Sequence, residues 1–240
     1  MQAYLARGLS AAEAARAALS DGQSPAPDVQ PRIAGQREGL GDVPGALARA
    51  MEQMDEPAAQ ALLDRLLAEF TVETVLREVV LPYLYMLGED WERGQTDVAQ
   101  EHFASNLIRG RLFSLARGWG NGRGPTALLA CAPGEEHDLP LLAFGIVLHR
   151  NGWRIAYLGA NTPVEDLTRT VADLQPDLVV LSAVTPERIN TVQEDLARLA
   201  RIAPLALAGA GATPASARAV GAQLFDEDPV TAAEHLLLPR

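Results

Sequence analysis

Hydrophobic positions recur at helical spacing through the first half of the chain, in four runs separated by short polar turns. These runs cover residues 43–54, 56–70, 72–93 and 97–118. Asp55 and Thr71 precede the second and third runs, and both are favourable N-cap residues. The pattern predicts a four-helix bundle, with a kink or break at Pro82 inside the third run.

After residue 124 the pattern changes to short aliphatic runs that alternate with amphipathic runs. The strand-like runs are residues 126–132, 154–158, 178–181, 205–208 and 223–225. The helix-like runs are residues 139–151, 164–174, 187–202, 215–220 and 230–238. This alternation predicts a doubly wound, parallel sheet of about five strands. The predicted fold class is therefore a four-helix bundle followed by a doubly wound α/β domain.

These patterns predict a chain of four parts. Residues 1–22 are helical in composition but have no core of their own. Residues 23–39 are rich in Gly, Gln, Ser, Pro and Asp without hydrophobic periodicity, which indicates a linker. The bundle then occupies residues 40–119 and the α/β domain residues 120–240.

Charge and cysteine content restrict the partners and the compartment. Twenty Lys and Arg against 31 Asp and Glu give a net charge of −11, so nucleic-acid binding by this chain alone is not expected. The one cysteine of the sequence, Cys131, stands in an apolar run, which indicates a buried thiol and a cytoplasmic protein. No apolar run approaches the ~20 residues that span a bilayer, so no membrane role is expected.

The loop after the first predicted strand contains the main candidate for chemistry. Ligands of open α/β sheets bind beyond the carboxyl ends of the strands. This loop lacks the glycine spacing of a dinucleotide site and instead presents His137 among Glu135, Glu136 and Asp138. A carboxylate beside an imidazole fixes the tautomer of a metal-ligating histidine, and either Glu135 or Asp138 could do so. The alternative is an ordinary helix start with Asp138 as N-cap.

Two other segments follow strands that end at the same edge. Ser182 and Val184 come after the third strand, and Gly209 and Gly211 after the fourth. Small residues at both strand ends would leave a slot for a long, slender ligand. Turn glycines and a capping serine would explain the same residues without a ligand.

The bundle contributes a third candidate. Trp91 lies near the end of the third predicted helix, and Glu101 and His102 lie in the second turn of the fourth. A short turn folds these helices into an antiparallel hairpin, so the three side chains can line a small polar pocket. The alternative is a core tryptophan beside a solvated helix start.

Taken together, these segments resemble the CarH/LitR-type cobalamin photoreceptors in the order bundle, then α/β domain. Trp91 and the Glu-His pair ten residues later resemble the Wx9EH motif of that family. The loop and strand-end segments resemble the ExHxxG, SxL and GG segments of the corrinoid-binding fold. The residues concerned are Trp91, Glu101, His102, Glu135, His137, Ser182, Val184 and Gly209. Residues 8–16 resemble the end of a MerR-type DNA-binding domain, and we therefore expect the DNA-reading domain itself to be absent from this chain.

The resemblance implies a bound adenosylcobalamin. His137 would take the lower axial position on cobalt, with Glu135 orienting its ring. The nucleotide tail would thread the slot by Ser182 and Gly209. In the bundle, the upper adenosyl ligand would be surrounded by the Wx9EH residues.

The function implied is that of a light sensor for a transcriptional regulator, and not an enzyme. In the dark the chain would form a homo-oligomer, a dimer or tetramer. Light would break the cobalt–carbon bond and thereby change this oligomeric state. Promoter DNA would be bound only through the absent domain. The main rival is a corrinoid shuttle subunit of a methyltransferase, in which Trp91, Glu101 and His102 would be small or aliphatic. A natural antirepressor without a DNA-binding domain is a further alternative.

Four positions depart from the family pattern. Pro140 and Ala208 each stand where the family has glycine, and Val184 replaces leucine. Glu92 stands where well-known members carry a histidine that ligates cobalt after illumination. We therefore expect water, or less readily His102, as the upper ligand after illumination.

Overall fold

The computed structural model describes residues 43–121 and 123–236. The predictions for residues 1–22 and 23–39 lie outside these residues. The described residues belong to one compact unit, Val43–Arg240. Across this described part, no helix is both long and apolar enough to cross a membrane.

In the described residues, the helical part consists of four helical stretches, at the positions that the sequence predicts. They are α1 (Val43–Glu52), α2 (Glu56–Glu69), a third stretch from α3 (Val72–Val75) to α4 (Leu81–Glu92), and α5 (Val98–Leu115). Asp55 caps α2 by accepting from the Ala58 N–H (3.0 Å), and Thr71 caps α3 by accepting from the Thr74 N–H (3.2 Å). The start of α5 is fixed by a capping box of Asp97 and Gln100.

The predicted interruption at Pro82 takes the form of a π-helical turn, Leu76–Val80, between α3 and α4. The Leu81 N–H donates to the Leu76 carbonyl, one residue farther back than in an α-helix. Pro82 has no N–H and its ring would clash with the carbonyl four residues before it. The wider turn accommodates the ring, so the helix continues without a break.

The sheet has five parallel strands in the order β2-β1-β3-β4-β5, and this confirms the predicted doubly wound fold. The strands are β1 (Thr126–Cys131), β2 (Arg154–Gly159), β3 (Leu178–Ser182), β4 (Leu205–Ala208) and β5 (Gln223–Phe225). Every residue of β1 and β3 is buried, including the Cys131 thiol. Because the chain leaves β1 for β2 on one side and later returns to β3 on the other, the switch point lies between β1 and β3.

In the described part of the chain, six helices flank the sheet. They are α6 (Leu139–Arg150), α7 (Val164–Leu174), α8 (Pro186–Thr191), α9 (Gln193–Leu199), α10 (Pro214–Val220) and α11 (Pro229–His235). The single helix predicted for residues 187–202 is wrong, because the chain leaves the helical conformation at Val192 (φ −115°, ψ 15°). Thr191 and Val192 are both β-branched, and such residues lose side-chain freedom in a helix.

Gly145 in the middle of α6 allows this helix to lie close to the sheet. A Cβ at this position would lie 2.8 Å from Cδ1 of Leu129 on β1 and 3.0 Å from Cη2 of Trp119. Gly110 in α5, by contrast, is exposed and has no atom within 4 Å of an added Cβ. Gly110 and Gly145 therefore differ in packing and not in secondary structure.

We expect Gly110→Ala to raise the free energy of unfolding by about 1 kcal/mol, because alanine favours a helix over glycine. Gly145→Ala should lower it by about 1 kcal/mol, since overpacking of about 1–3 kcal/mol exceeds the same gain. Urea unfolding of both variants measures the difference. An equal stabilisation by both substitutions would contradict the packing assigned to α6.

Candidate functional site

The loop between β1 and α6 presents His137 at the carboxyl edge of the sheet. The side chain of His137 is 66% exposed, and its Nδ1 lies 2.6 Å from Oε1 of Glu135. A carboxylate at this distance accepts the Nδ1 proton, which leaves the Nε2 lone pair available. The imidazole thus presents Nε2 to the outside, where it can bind a metal.

Glu135 orients His137 from a fully buried position. Its Oε1 also accepts from the His137 backbone N–H (3.0 Å), and its Oε2 accepts from the Val184 N–H (2.7 Å). Nε of Arg188 on α8 lies 3.3 Å from the same Oε2. Burial by itself would raise the pKa of Glu135, but the hydrogen bonds from Val184 and His137 hold it below its ordinary value. Glu135 therefore stays ionised, and the stability that it contributes is lost as the pH falls through this lowered pKa.

The loop after β2 supports the backbone of the His137 loop. Asn161 donates its N–H to the Glu135 carbonyl (2.8 Å), and its Oδ1 accepts from the Gly134 N–H (2.7 Å). Gly134 has a φ of 75°, a conformation that favours glycine. The position of His137 is therefore fixed by the loops after β1, β2 and β3.

Asp138 does not orient the imidazole. It occupies the N-cap position of α6, but its side chain makes no capping hydrogen bond. Its buried carboxylate instead accepts from Nη1 of Arg109 on α5 (2.6 and 2.8 Å) and from the Tyr157 hydroxyl on β2 (2.9 Å). The N-cap interpretation is correct for the backbone and wrong for the side chain.

The strand-end residues Ser182 and Gly209 lie side by side. A Cβ on Gly209, whose φ is 87°, would lie 2.4 Å from the Ala183 carbonyl oxygen and 3.1 Å from the Ser182 Oγ. Glycine is therefore required for the close approach of the loops after β3 and β4, as the turn-glycine alternative expects. Ser182 is 8% exposed, and its hydroxyl makes no hydrogen bond within the described residues, so it is available to a ligand.

Val184 contributes to the site through its backbone. Its N–H binds Glu135, whereas its side chain is 39% exposed at the same edge. Gly211, in the loop after β4, donates its N–H to the carbonyl of Ala183, the residue before Val184 (2.9 Å). A Cβ on Gly211 would lie 2.4 Å from the Thr185 carbonyl oxygen.

The bundle residues lie on the surface near the turn between α4 and α5. Trp91 is 52% exposed, so the alternative of a core tryptophan is wrong. Oε1 of Glu101 accepts from the Ser105 hydroxyl (2.5 Å), and Nε2 of His102 lies 3.6 Å from Oε2 of Glu101. Within the described residues, Trp91 makes no hydrogen bond or ring contact with Glu101 or His102.

One face of α5 connects these bundle residues with the His137 loop. Glu101, Ser105 and Arg109 follow one another at intervals of four residues and therefore share that face. Arg109 binds Asp138, the neighbour of His137. Glu101 lies roughly 12 Å farther along the helix axis, at 1.5 Å per residue.

A cavity of about 380 Å³ lies beside the same turn, between α1, α4 and the start of α5. Its lining includes Glu52, Tyr83, Asp90 and Gln100. None of Trp91, Glu101 and His102 lines it, so it is not the small polar pocket predicted from the sequence.

The donors of the His137 loop fit a corrinoid. In residues 43–121 and 123–236, no group of three or more His, Cys, Asp or Glu could hold a bare metal ion. One exposed imidazole is suited to a metal whose equatorial positions are filled by a macrocycle. Glu135 behind the ring supplies the carboxylate that such histidine ligands use.

Four residues of this arrangement were missed by the sequence predictions: Arg109, Tyr157, Asn161 and Arg188. The spacing of Arg109 from Glu101 on one helix face is a signal that sequence reasoning could have used. Tyr157 and Arg188 belong to no local motif, because their partners are distant in sequence.

Comparison with known proteins covers both parts of the chain. Residues 45–115 match a family model described as "B12 binding domain", and residues 125–234 match a second model with the same description. The fold is similar to that of the monomethylamine corrinoid protein of Methanosarcina barkeri, with a TM-score of 0.65 and 18% identity. That similarity covers 82% of this chain and 98% of the other.

Two curated relatives come from Myxococcus xanthus. The HTH-type transcriptional repressor CarH is 38% identical over 68% of this chain, and the chain spans 54% of the length of that protein. The HTH-type transcriptional repressor CarA is 36% identical over 85% of this chain and 67% of its own length. The chain therefore belongs to the CarH-type family of proteins with B12 binding domains.

Proposed function

We propose that this chain binds adenosylcobalamin and serves as the light sensor of a transcriptional regulator. The observation on which the proposal rests is the exposed Nε2 of His137, whose Nδ1 is held by the buried Glu135. Both curated relatives are named as transcriptional repressors, which supports a regulatory function and not an enzymatic one.

Each candidate residue has a definite task in this proposal. His137 ligates cobalt from below through Nε2, and Glu135 keeps its ring in the required tautomer. Ser182 donates or accepts a hydrogen bond at the nucleotide tail, next to Gly209 and Val184. Bound adenosylcobalamin would supply a cobalt–carbon bond that visible light cleaves.

The upper side of the cofactor is assigned to the bundle. Trp91, Glu101 and His102 would surround the adenosyl group, since Trp91 and His102 are exposed and Glu101 is half-buried beside them. Glu92, also exposed, supplies no imidazole after illumination, so we assign water as the upper ligand in that state. Protein without a second histidine on cobalt would be reloaded more readily with fresh cofactor.

The proposed partners follow from charge and from the cofactor. A ligand that contacts both the bundle and the sheet biases their relative position, and a homo-oligomer of two or four chains in the dark would respond to that bias. The net charge of −11 disfavours DNA contact by this chain, so promoter binding is assigned to a separate DNA-binding domain. The buried Cys131 thiol suits a reducing compartment such as the cytoplasm.

A corrinoid shuttle subunit of a methyltransferase is the second candidate function. The similarity of the fold to a monomethylamine corrinoid protein favours it. Trp91, Glu101 and His102 argue against it, because a shuttle must deliver a small methyl group and does not need three large side chains above the cobalt. Light sensitivity of the adenosyl form separates the two functions.

We expect His137→Ala to abolish histidine ligation of cobalt, because the variant has no imidazole in this loop. Glu135→Gln should retain ligation but weaken cobalamin binding by about 10–100-fold. His235→Ala is the matched control, since His235, the last residue of α11, is an exposed histidine paired with Glu227. Absorption spectra and equilibrium binding of dark protein measure both effects, and a His137→Ala spectrum like that of wild type would contradict the assignment.

The sensor proposal is tested by the size of the protein in three states. Protein loaded with adenosylcobalamin in the dark should elute from size exclusion as a larger species than protein without cofactor or protein after green light. Methylcobalamin is the control ligand, because its upper group is too small to contact the bundle residues. Identical elution in all states, with an unchanged spectrum after light, would contradict light sensing and favour the shuttle.

A further inference from the structure

Asp138 forms a buried contact that neither helix capping nor ligation of cobalt uses. Its side chain is 5% exposed, lies directly after His137 in sequence and makes no capping hydrogen bond to α6. A buried carboxylate without partners is strongly destabilising. Arg109 and Tyr157 provide those partners.

Arg109 brings this contact to the helical part of the molecule. Both carboxylate oxygens of Asp138 lie within hydrogen-bond distance of its Nη1. The guanidinium extends from the same face of α5 that bears Glu101 and Ser105. Any displacement of the His137 loop therefore moves the carboxylate to which α5 is bound.

Tyr157 holds the same contact from the side of the sheet. Its hydroxyl donates to Oδ2 of Asp138, and burial together with the nearby carboxylate raises its pKa, so the phenol stays protonated. Its ring makes edge contacts with Phe113 of α5 (centroids 6.1 Å apart) and with Trp119 (5.6 Å). Tyr157 thus contacts both α5 and the start of α6.

The contact differs from the other ion pairs between the two parts. In the described residues three such pairs are present: Arg109–Asp138, Arg150–Glu73 and Arg77–Glu234. The side chains of the second pair are 47% and 21% exposed, and those of the third 32% and 39%. Exposed pairs contribute little, whereas a buried carboxylate depends on its partner.

We propose that the Arg109–Asp138–Tyr157 network couples the cobalt-ligand loop to α5, with Asp138 as the positioning residue between them. The inference rests on the proposed binding of cobalamin at His137. Ligation fixes the position of His137, and therefore that of Asp138 and of the α5 face that the network holds. By reciprocity, the network stabilises the ligated form of the loop as much as ligation stabilises the network.

A double-mutant cycle with Arg109→Gln and Asp138→Asn measures this coupling in the full chain. Each single variant should weaken binding of adenosylcobalamin in the dark by about tenfold. The double variant should also lose about tenfold, and not a hundredfold, because residues in contact act as one unit. Arg150→Gln is the matched control, since it breaks an ion pair between the same two parts away from the loop, and it should bind like wild type.

Amide hydrogen exchange of residues 105–113 provides a readout that a merely structural contact would not move. In wild type and Arg150→Gln, adenosylcobalamin should slow exchange in this segment of α5. In Arg109→Gln and Asp138→Asn this ligand-dependent protection should be lost while the absorption spectrum still reports histidine ligation. Tyr157→Phe, which removes one hydrogen bond and keeps the ring, should show an intermediate loss.

The outcomes separate the network from the proposed function. Wild-type protein that binds no adenosylcobalamin would overturn the proposed function and this inference with it. Wild type that binds, together with Arg109→Gln protected as fully as Arg150→Gln, would overturn the network alone. If circular dichroism shows that Asp138→Asn does not fold, the comparison of Arg109→Gln, Tyr157→Phe and Arg150→Gln still tests whether the network couples the loop to α5.

Discussion

The buried carboxylate of Glu135 is the interaction on which the site depends. Removing a charge from water costs several kcal/mol unless hydrogen bonds and a counter-charge compensate that cost. Glu135 obtains these from the Val184 N–H, from His137 and from Arg188. The same partners join the loops after β1 and β3 and set the tautomer of the imidazole. The contacts that compensate the charge of Glu135 therefore also orient His137, the proposed cobalt ligand.

Neighbouring residues of the loop take on separate tasks because they extend in different directions. Glu135 is directed into the protein, His137 outward, and Asp138 toward α5. The parallel sheet makes this possible, because its switch point places the loop after β1 between those after β2 and β3. The bundle is held to the same loop through Arg109. The proposed cobalt ligand and the contact with α5 thus lie within four residues of chain.

Sequence reasoning recovered what local patterns determine. The five strands are short, mainly aliphatic runs, and their boundaries agree with the prediction to within one residue. The short separations in the loop limit the carboxylate partner of His137 to Glu135 or Asp138. The structure shows that the partner is Glu135. The pairing of Arg109 with Asp138 could not be predicted from local sequence, because the two residues lie 29 positions apart. The division of residues 187–202 was missed because both halves have the same hydrophobic period.

The slot predicted between Ser182 and Gly209 rests on small residues, and composition alone leaves two interpretations of them. Small residues suit a ligand and equally suit two backbones in contact. The Ala183 carbonyl occupies the position that a Cβ of Gly209 would need. The free Ser182 hydroxyl, and not the glycine, is the feature of this edge that favours a ligand.

The most direct measurement is electron paramagnetic resonance of the protein loaded with cobalamin in the cobalt(II) state, after labelling its histidines with nitrogen-15. Ligation by His137 predicts that the axial nitrogen splitting changes from a triplet to a doublet on labelling. The same change should be absent in His137→Ala. A triplet that persists in labelled wild type would show that the nucleotide base of the cofactor still ligates cobalt, and would contradict the role assigned to His137.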